Sequence, residues 1–350
     1  MSSNSPHIVI AGAGSVGCYV GGRLAHGGAR VSFLARERIQ NDIDLHGMKV
    51  SDWQGYSANL DPSSIEISSH DRILKDADII IVSVKSRDTL AMAQTIKRSG
   101  NTTATIFSFQ NGVGNVAVLK TELPEHTIMP VMVPYNVLYT PGSKNKAAHF
   151  HCGTEGTLFC QNDSASETLM LAAQQAGLAM EYKPNMVNIL WSKLLLNLNN
   201  PINALAGIPL KQQLEDKHYR KIFRLAIQEG LAVLRSAGIN PGQVAAVPMG
   251  LVPVVLALPT FLFKRVAQKM LAIDPEARSS MWEDLQNRRP VEVDYITGEL
   301  VKLGQQVNVP TPVNSKLIEL VKTAHAMGQG SPCIDSMTLL NQVEAEQSHV

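Results

Sequence analysis

The chain has 350 residues, a length that suits two domains of ordinary size. Hydrophobic residues make up 45% and charged residues 17%, which excludes a largely disordered chain. The 31 Lys and Arg nearly balance the 30 Asp and Glu, so no basic excess favours bulk binding to nucleic acid or to an anionic membrane.

Four cysteines, Cys18, Cys152, Cys160 and Cys333, are too few for a disulfide scaffold, and none forms a C-x-x-C pair. No metal is expected, and the cysteines read as reduced thiols of a cytoplasmic protein. The N-terminal MSSNSPHIVIAG has neither the basic region nor the long apolar core of a signal peptide. Pro248–Phe263 (PMGLVPVVLALPTFLF) is apolar, but it spans 16 residues and contains three prolines, whereas a membrane span needs ~20 apolar residues. It reads as helix, buried in the chain's own core or facing a partner subunit.

In chain order, His7–Ala11 is a short apolar strand that runs directly into glycines, and Val16–His26 reads as a helix with small residues on one face. Arg30–Ala35, Asp78–Val84 and Thr103–Phe109 are further strands, the second almost wholly apolar as a strand buried on both faces should be. Strands separated by helical stretches predict a parallel sheet covered on both sides. Met48–Ser69 reads as short strands and turns. Thr127–Leu138 and His149–Phe159 are strand candidates joined by a hairpin-like loop over Thr140–Lys146. From Met186 the pattern becomes helical: Met186–Ala206, Gln212–Ala237, Phe263–Leu271, Ser279–Asn287, Val291–Gln306 and Asn314–Met327. The tail from Asn341 is polar and is expected to fray. The expected fold is thus α/β: a Rossmann-like dinucleotide-binding domain over 1–185, then an all-helical domain over 186–350 carrying the substrate and the chemistry.

Gly12-Ala13-Gly14-Ser15-Val16-Gly17 is G-x-G-x-x-G between a strand and a helix. Gly12 permits the tight turn, Gly14 lets a pyrophosphate approach the backbone, and Gly17 lets helix pack on strand. The N–H groups at the helix start, around Ser15 and Val16, would hold the phosphates. At the end of the second strand an NAD site usually carries Asp or Glu. Here Arg36 comes first, then Glu37 and Arg38. A guanidinium suits a 2′-phosphate, so NADPH is favoured, although Glu37 could serve a ribose instead. Two other strands run into Lys85 and into Gln110-Asn111-Gly112, which places Lys85 and Asn111 at the ligand-binding edge of the sheet.

In Trp191–Leu205 (WSKLLLNLNNPINAL), Lys193, Asn197 and Asn200 are spaced i, i+4, i+7 and fall within about 60° on one helix face. Pro201 deprives the Asn197 carbonyl of its helical donor, so a kink is expected there. Pro290 is expected to end one helix and start the next, with Glu292 in the first turn. On spacing alone that carboxylate could simply complement the helix dipole.

With these motifs in this order, the sequence resembles the ketopantoate reductase (2-dehydropantoate 2-reductase) family over nearly its whole length. The resemblance rests on the glycine loop, Lys85, Gln110-Asn111-Gly112-x-Gly114, Trp191-x-Lys193-x-x-x-Asn197, and Ser280 placed twelve residues before Glu292. It implies NADPH-dependent reduction of ketopantoate to pantoate in pantothenate biosynthesis. In that reading Lys193 is the general acid, and Glu292 holds the substrate hydroxyl, the lysine or the cofactor. Asn197 binds the substrate hydroxyl and Ser280 its carboxylate, Asn111 meets cofactor and substrate, and Lys85 meets the cofactor. Two departures stand out. The family often has asparagine then proline eight residues after the lysine, but here position 201 is Pro201 itself, so Asn200 or Asn203 must stand in. Pro241–Phe263 is also longer and more apolar than the family leads one to expect. A different 2-oxo acid as substrate, a homodimer built on the apolar run, and a non-catalytic NADPH sensor all remain compatible with the sequence. An amine reductase of the opine-dehydrogenase type would be expected to use a His–Asp pair, and no histidine lies in these helical motifs.

Overall fold

The computed structural model describes residues 5–244, 247–267 and 274–347. The chain divides into two compact units, Met1–Met186 and Val187–Val350. In the first unit the strands are β1 (His7–Ala11), β2 (Arg30–Leu34), β3 (Met48–Asp52), β4 (Ser57–Leu60), β5 (Glu66–Ser68), β6 (Ile79–Val82) and β7 (Thr105–Ser108). They continue with β8 (Ile128–Met132), β9 (Val137–Thr140), β10 (Ala148–Cys152), β11 (Leu158–Gln161) and β12 (Met180–Lys183). The helices among them are α1 (Ser15–His26), α2 (Glu37–His46), α3 (Thr89–Ser99), α4 (Asn115–Glu122) and α5 (Glu167–Gln175).

An eight-stranded sheet runs in the order β12-β11-β8-β7-β6-β1-β2-β5. It is parallel from β5 to β8, and β11 joins β8 antiparallel. The order turns back on either side of β1, as in dinucleotide-binding sheets. Side chains alternate across β1. Ile8 and Ile10 enter one core with Cys18 and Tyr19 of α1. Val9 and Ala11 enter the opposite core with Ala93 and Ile96 of α3 and Leu119 of α4. Burial of both faces is why the strand is apolar throughout.

The first core includes a second sheet, β4-β3-β10-β9, packed on the far side of α1. The small residues of α1 therefore serve two sides rather than one face. A Cβ on Gly21 would lie 2.4 Å from Phe33 of β2, and one on Gly22 would lie 2.7 Å from Val50 of β3. The two sheets also correct two expected strands. Thr127–Leu138 splits into β8 and β9, and His149–Phe159 splits into β10 and β11, with one member of each pair in each sheet. Val133 stays buried through the first crossing, so the apolar pattern hides the break. Pro134 has no N–H to continue the ladder, and its carbonyl accepts the Thr154 hydroxyl from the second crossing at 3.2 Å. The loop over Thr140–Lys146 does join two antiparallel strands, β9 and β10.

The second unit is helical. Its elements are α6 (Met186–Asn197), α7 (Asn199–Ala206), α8 (Leu210–Glu215), α9 (Lys217–Ser236), α10 (Val252–Ala257) and α11 (Thr260–Val266). They are followed by α12 (Ser280–Gln286), α13 (Thr297–Gln306), α14 (Pro312–Met327) and α15 (Ser336–Gln347). The long helix expected over Met186–Ala206 is interrupted at Leu198, which puts Pro201 in the first turn of α7, where no N–H is needed. Gln212–Ala237 is likewise two helices, because Asp216 caps α9 by accepting the His218 and Tyr219 N–H groups. Of the helix expected over Phe263–Leu271, residues 268–271 lie outside the described residues. The expected fraying of the tail is not found up to Gln347. Leu339, Leu340 and Val343 form a buried stripe on α15, which packs on α9 and α14.

The apolar run is not one helix but a single helical turn at Met249–Leu251 followed by α10 and α11. Arg220 of α9, 1% exposed, holds it in place. Its guanidinium donates to the carbonyls of Leu256 and Leu258 and to the Thr260 hydroxyl, as well as to the carbonyls of Leu214 and Glu215. Glu229, also on α9, caps α14 by accepting the Val313 and Asn314 N–H groups at 2.8 and 3.0 Å. Burial pushes its carboxyl above the usual range despite those bonds.

Candidate active site

In the first unit the glycine turn leaves β1 at the carboxyl edge of the sheet. Gly12 has φ +105°, and a Cβ there would lie 2.4 Å from the Val84 side chain and 2.8 Å from the Val84 nitrogen. A Cβ on Gly17 would lie 2.5 Å from the Ser83 hydroxyl. Gly14 differs from both: its Cβ would meet nothing nearer than the Gly12 oxygen at 4.0 Å. The turn is held from below, where the Gly12 and Ala13 N–H groups donate to Leu34. Gly14 is the N-cap of α1 and offers no side chain to the N–H groups of Ser15 and Val16. A glycine facing open space beside an uncapped helix start fits a dinucleotide pyrophosphate.

Lys85 and Asn111 follow β6 and β7, where β6 pairs with β1 and β7 lies next to β6 on the same side of the sheet. A buried side-chain network locks their two loops together. Gln110 donates to the Val84 carbonyl at 3.0 Å and to Thr89 at 2.7 Å, and Thr89 donates to Asn115 at 2.9 Å. Asn115 and Ser86 both donate to the Asn111 carbonyl. The Asn111 main chain is thus pinned, while its carboxamide makes no hydrogen bond with a described residue. Ser86, Thr89, Gln110 and Asn115 are supports that the sequence alone does not single out. Their only signal is an unusual density of polar residues just past two apolar strands.

The arginines after β2 part company. Arg36, 78% exposed at its side chain, donates to Asp88 at 2.9 Å. Arg38 does not join it and lies over the Tyr139 ring of the second sheet, 5.4 Å from the centroid. Glu37 is the first residue of α2.

In the second unit Lys193 and Asn197 share a face of α6. Asn200 lies beyond the Leu198 interruption, so one continuous helical face holds only for the first two. Lys193 is half-buried, and lost solvation pushes its pKa down from 10.5 to about 8. It makes no hydrogen bond or ion pair with a described residue, and neither do the carboxamides of Asn197 and Asn200. Asn203 is different. It is fully buried, accepts the Ser279 N–H at 2.8 Å and donates to the Ile208 carbonyl at 2.9 Å. Of the two candidates for the shifted asparagine, Asn203 is therefore part of the scaffold, and the Asn200 carboxamide is not committed to any described residue. Asn199 and Gln213 add a buried reciprocal amide pair at 2.7 and 3.1 Å.

Ser279 is buried and caps α12 through the Trp282 N–H, while the adjacent Ser280 is exposed. Arg278 stacks on Trp282, 4.6 Å from its ring. Glu292 is a correction: the helix begins at Thr297, not at Val291, and Glu292 lies in the turn before it. Its carbonyl accepts the Tyr295 and Ile296 N–H groups, and Gly298 reaches back to Val293, a wider turn than an α-helix makes. Glu292 is therefore not in a first helical turn, and helix-dipole complementarity does not account for it.

A parallel sheet of dinucleotide-binding order with an uncapped glycine turn, followed by a helical unit bearing a desolvated lysine, defines a nicotinamide-dependent oxidoreductase. The comparisons make the assignment narrower. The chain belongs to the ketopantoate reductase PanE/ApbA family: the family model matches residues 8–158, and the model of the family's C-terminal part matches 185–325. It is 25% identical over 327 residues to a 2-dehydropantoate 2-reductase of Halobacterium salinarum, covering 92% of this chain and 99% of that one. It resembles the crystal structure of a PanE/ApbA family ketopantoate reductase from Ralstonia eutropha, with TM-score 0.76, 26% identity, and coverage of 92% and 99%. It shares the fold of a D-mandelate dehydrogenase solved with NADH and anilino(oxo)acetate, with TM-score 0.74, 20% identity and the same coverage.

Proposed function

We propose that this chain uses NADPH to reduce 2-dehydropantoate to pantoate, in pantothenate biosynthesis. The observation that carries the reading is Lys193, a desolvated ammonium with its pKa near 8 and no partner among the described residues, beside an Asn197 carboxamide that likewise has none there. When bound, the nicotinamide supplies a hydride to the 2-oxo carbon. Lys193 gives its proton to the carbonyl oxygen, so that no alkoxide accumulates and a 2-hydroxy acid leaves. Asn197 and Asn200 hold the substrate hydroxyl, Ser280 its carboxylate, and Glu292 orients substrate or lysine. Gly12, Gly14, Ser15, Val16 and Gly17 cradle the pyrophosphate, Arg36 takes the 2′-phosphate, and Lys85 and Asn111 meet the cofactor. The four cysteines are free thiols, which supports a reducing, cytoplasmic setting. Leu251, Val254, Phe261 and Val266 expose apolar surface in one stretch, which supports a homodimer.

The test follows absorbance at the reduced-nicotinamide band with 2-dehydropantoate, comparing NADPH with NADH and wild type with Lys193→Ala. NADPH should be oxidised preferentially, and the variant should lose about two orders of magnitude in turnover. A second reading, another 2-oxo acid, is favoured by Pro201 standing where the family often has asparagine and by the scaffold role of Asn203. Tight NADPH binding with no 2-dehydropantoate turnover, but turnover of a bulkier 2-oxo acid, would select it. NADPH binding with no turnover of any 2-oxo acid would leave a nucleotide sensor.

A further inference from the structure

Asp88 ends a single helical turn, Ser86–Asp88, that runs directly into α3, and its carboxylate makes no hydrogen bond to the start of that helix. It is spent on two arginines instead. Oδ2 accepts from Arg36 Nη2 at 2.9 Å, across from the end of β2, and Oδ1 lies 3.4 Å from Arg87 Nε. Glu37 follows Arg36 directly and Lys85 lies three residues before Asp88, so Asp88 is the acidic group that engages the guanidinium at this edge.

We propose that Asp88 limits the preference for the phosphorylated nucleotide by competing with the 2′-phosphate for Arg36. This rests on the reading that NADPH binds here with Arg36 on its 2′-phosphate. A carboxylate at 2.9 Å satisfies one edge of the guanidinium and cancels much of its charge. A 2′-phosphate arriving at Arg36 must displace Asp88 or accept its repulsion, and a nucleotide with a free 2′-hydroxyl meets no such competition. The pair is exposed enough that displacement is inexpensive. Asp88 thus tempers discrimination without abolishing it.

The test uses Asp88→Asn, which keeps side-chain size but removes the charge. Calorimetric titration of wild type, Asp88→Asn, Arg36→Ala and the double variant with 2′-AMP and 5′-AMP reads the site without turnover. Asp88→Asn should bind 2′-AMP about three- to fivefold more tightly, with 5′-AMP unchanged. The gain should shrink with added salt and vanish in the Arg36→Ala background. Weaker 2′-AMP binding by Asp88→Asn would make Asp88 a positioning residue and overturn competition. An unchanged ratio, or a gain that persists without Arg36, would overturn it too. If wild type binds 2′-AMP no better than 5′-AMP and Arg36→Ala alters neither, the NADPH reading itself fails, and the proposal falls with it.

Discussion

Asn203 accepts the Ser279 N–H at 2.8 Å and ties α7 to the start of α12 across 76 residues of sequence. The bond fixes where Asn200 and Ser280 sit relative to each other, because the Ser279 hydroxyl also donates to the Asn200 carbonyl at 3.3 Å. Asn203→Ala would orphan the Ser279 N–H and the Ile208 carbonyl in the interior. We expect a loss of about 2–3 kcal/mol in urea unfolding, with KM raised more than kcat is lowered. A loss below about 0.5 kcal/mol would show that the bond does not organise the site.

Gly12 and Gly14 separate folding from binding within one turn. Gly12→Ala combines a φ of +105° with a 2.4 Å clash against Val84, so the variant should melt well below wild type. Gly14 has φ −91° and open space around its Cβ, so Gly14→Ala should fold normally. It should nevertheless bind NADPH at least about tenfold more weakly, because the methyl occupies the phosphate's approach. Melting curves and quenching of reduced-nucleotide fluorescence distinguish the two. Normal NADPH affinity in Gly14→Ala would place the phosphates elsewhere.

What was legible in the sequence depended on how local the cause was. β1 and its glycine turn are readable because burial on both faces and a six-residue pattern lie next to each other in the chain. Lys193 and Asn197 are readable because four residues along one helix suffice to align them. The crossings at Pro134 and Thr154 are not, since an apolar residue continues through the break and the second sheet forms from distant segments. Glu292 is misplaced for a related reason: Pro290 looks like a helix start, but the chain first makes a wide turn closed by Gly298 and Val293. The scaffold role of Asn203 and the grip of Asp88 on Arg36 depend on partners 76 and 52 residues away, which no spacing rule reaches.

Arg220 is a buried cation that bonds only neutral acceptors, four of them main-chain carbonyls. Arg220→Met fills similar volume but leaves those carbonyls without donors. It should cost about 3–5 kcal/mol, and Arg220→Lys should rescue little because one ammonium cannot span the fork. Limited proteolysis should then cut first within 248–266, the segment Arg220 secures. Wild-type resistance there would mean that the apolar packing of Val252, Leu256 and Phe263 holds the segment by itself.

Lys193 links catalysis and stability through one proton. In the proposed reaction it acts as the general acid and must be charged, and its pKa is near 8, so kcat/KM should be level below that value and fall about tenfold per unit above it. The sign for stability is opposite to that of a paired lysine. In the unfolded chain the amine returns to about 10.5, so between 8 and 10.5 the unfolded state binds more protons, and stability rises with pH across that window. Below it the native state carries a penalty of about 1–3 kcal/mol for keeping the ammonium desolvated. Lys193→Met should therefore be more stable than wild type at neutral pH and lose that advantage as pH climbs through the window, while losing about two orders of magnitude in turnover. Unfolding titrations at several pH values and a pH–rate profile read the two effects separately. A flat profile through pH 8, together with no stability gain in Lys193→Met, would mean that the lysine is neither desolvated nor the acid.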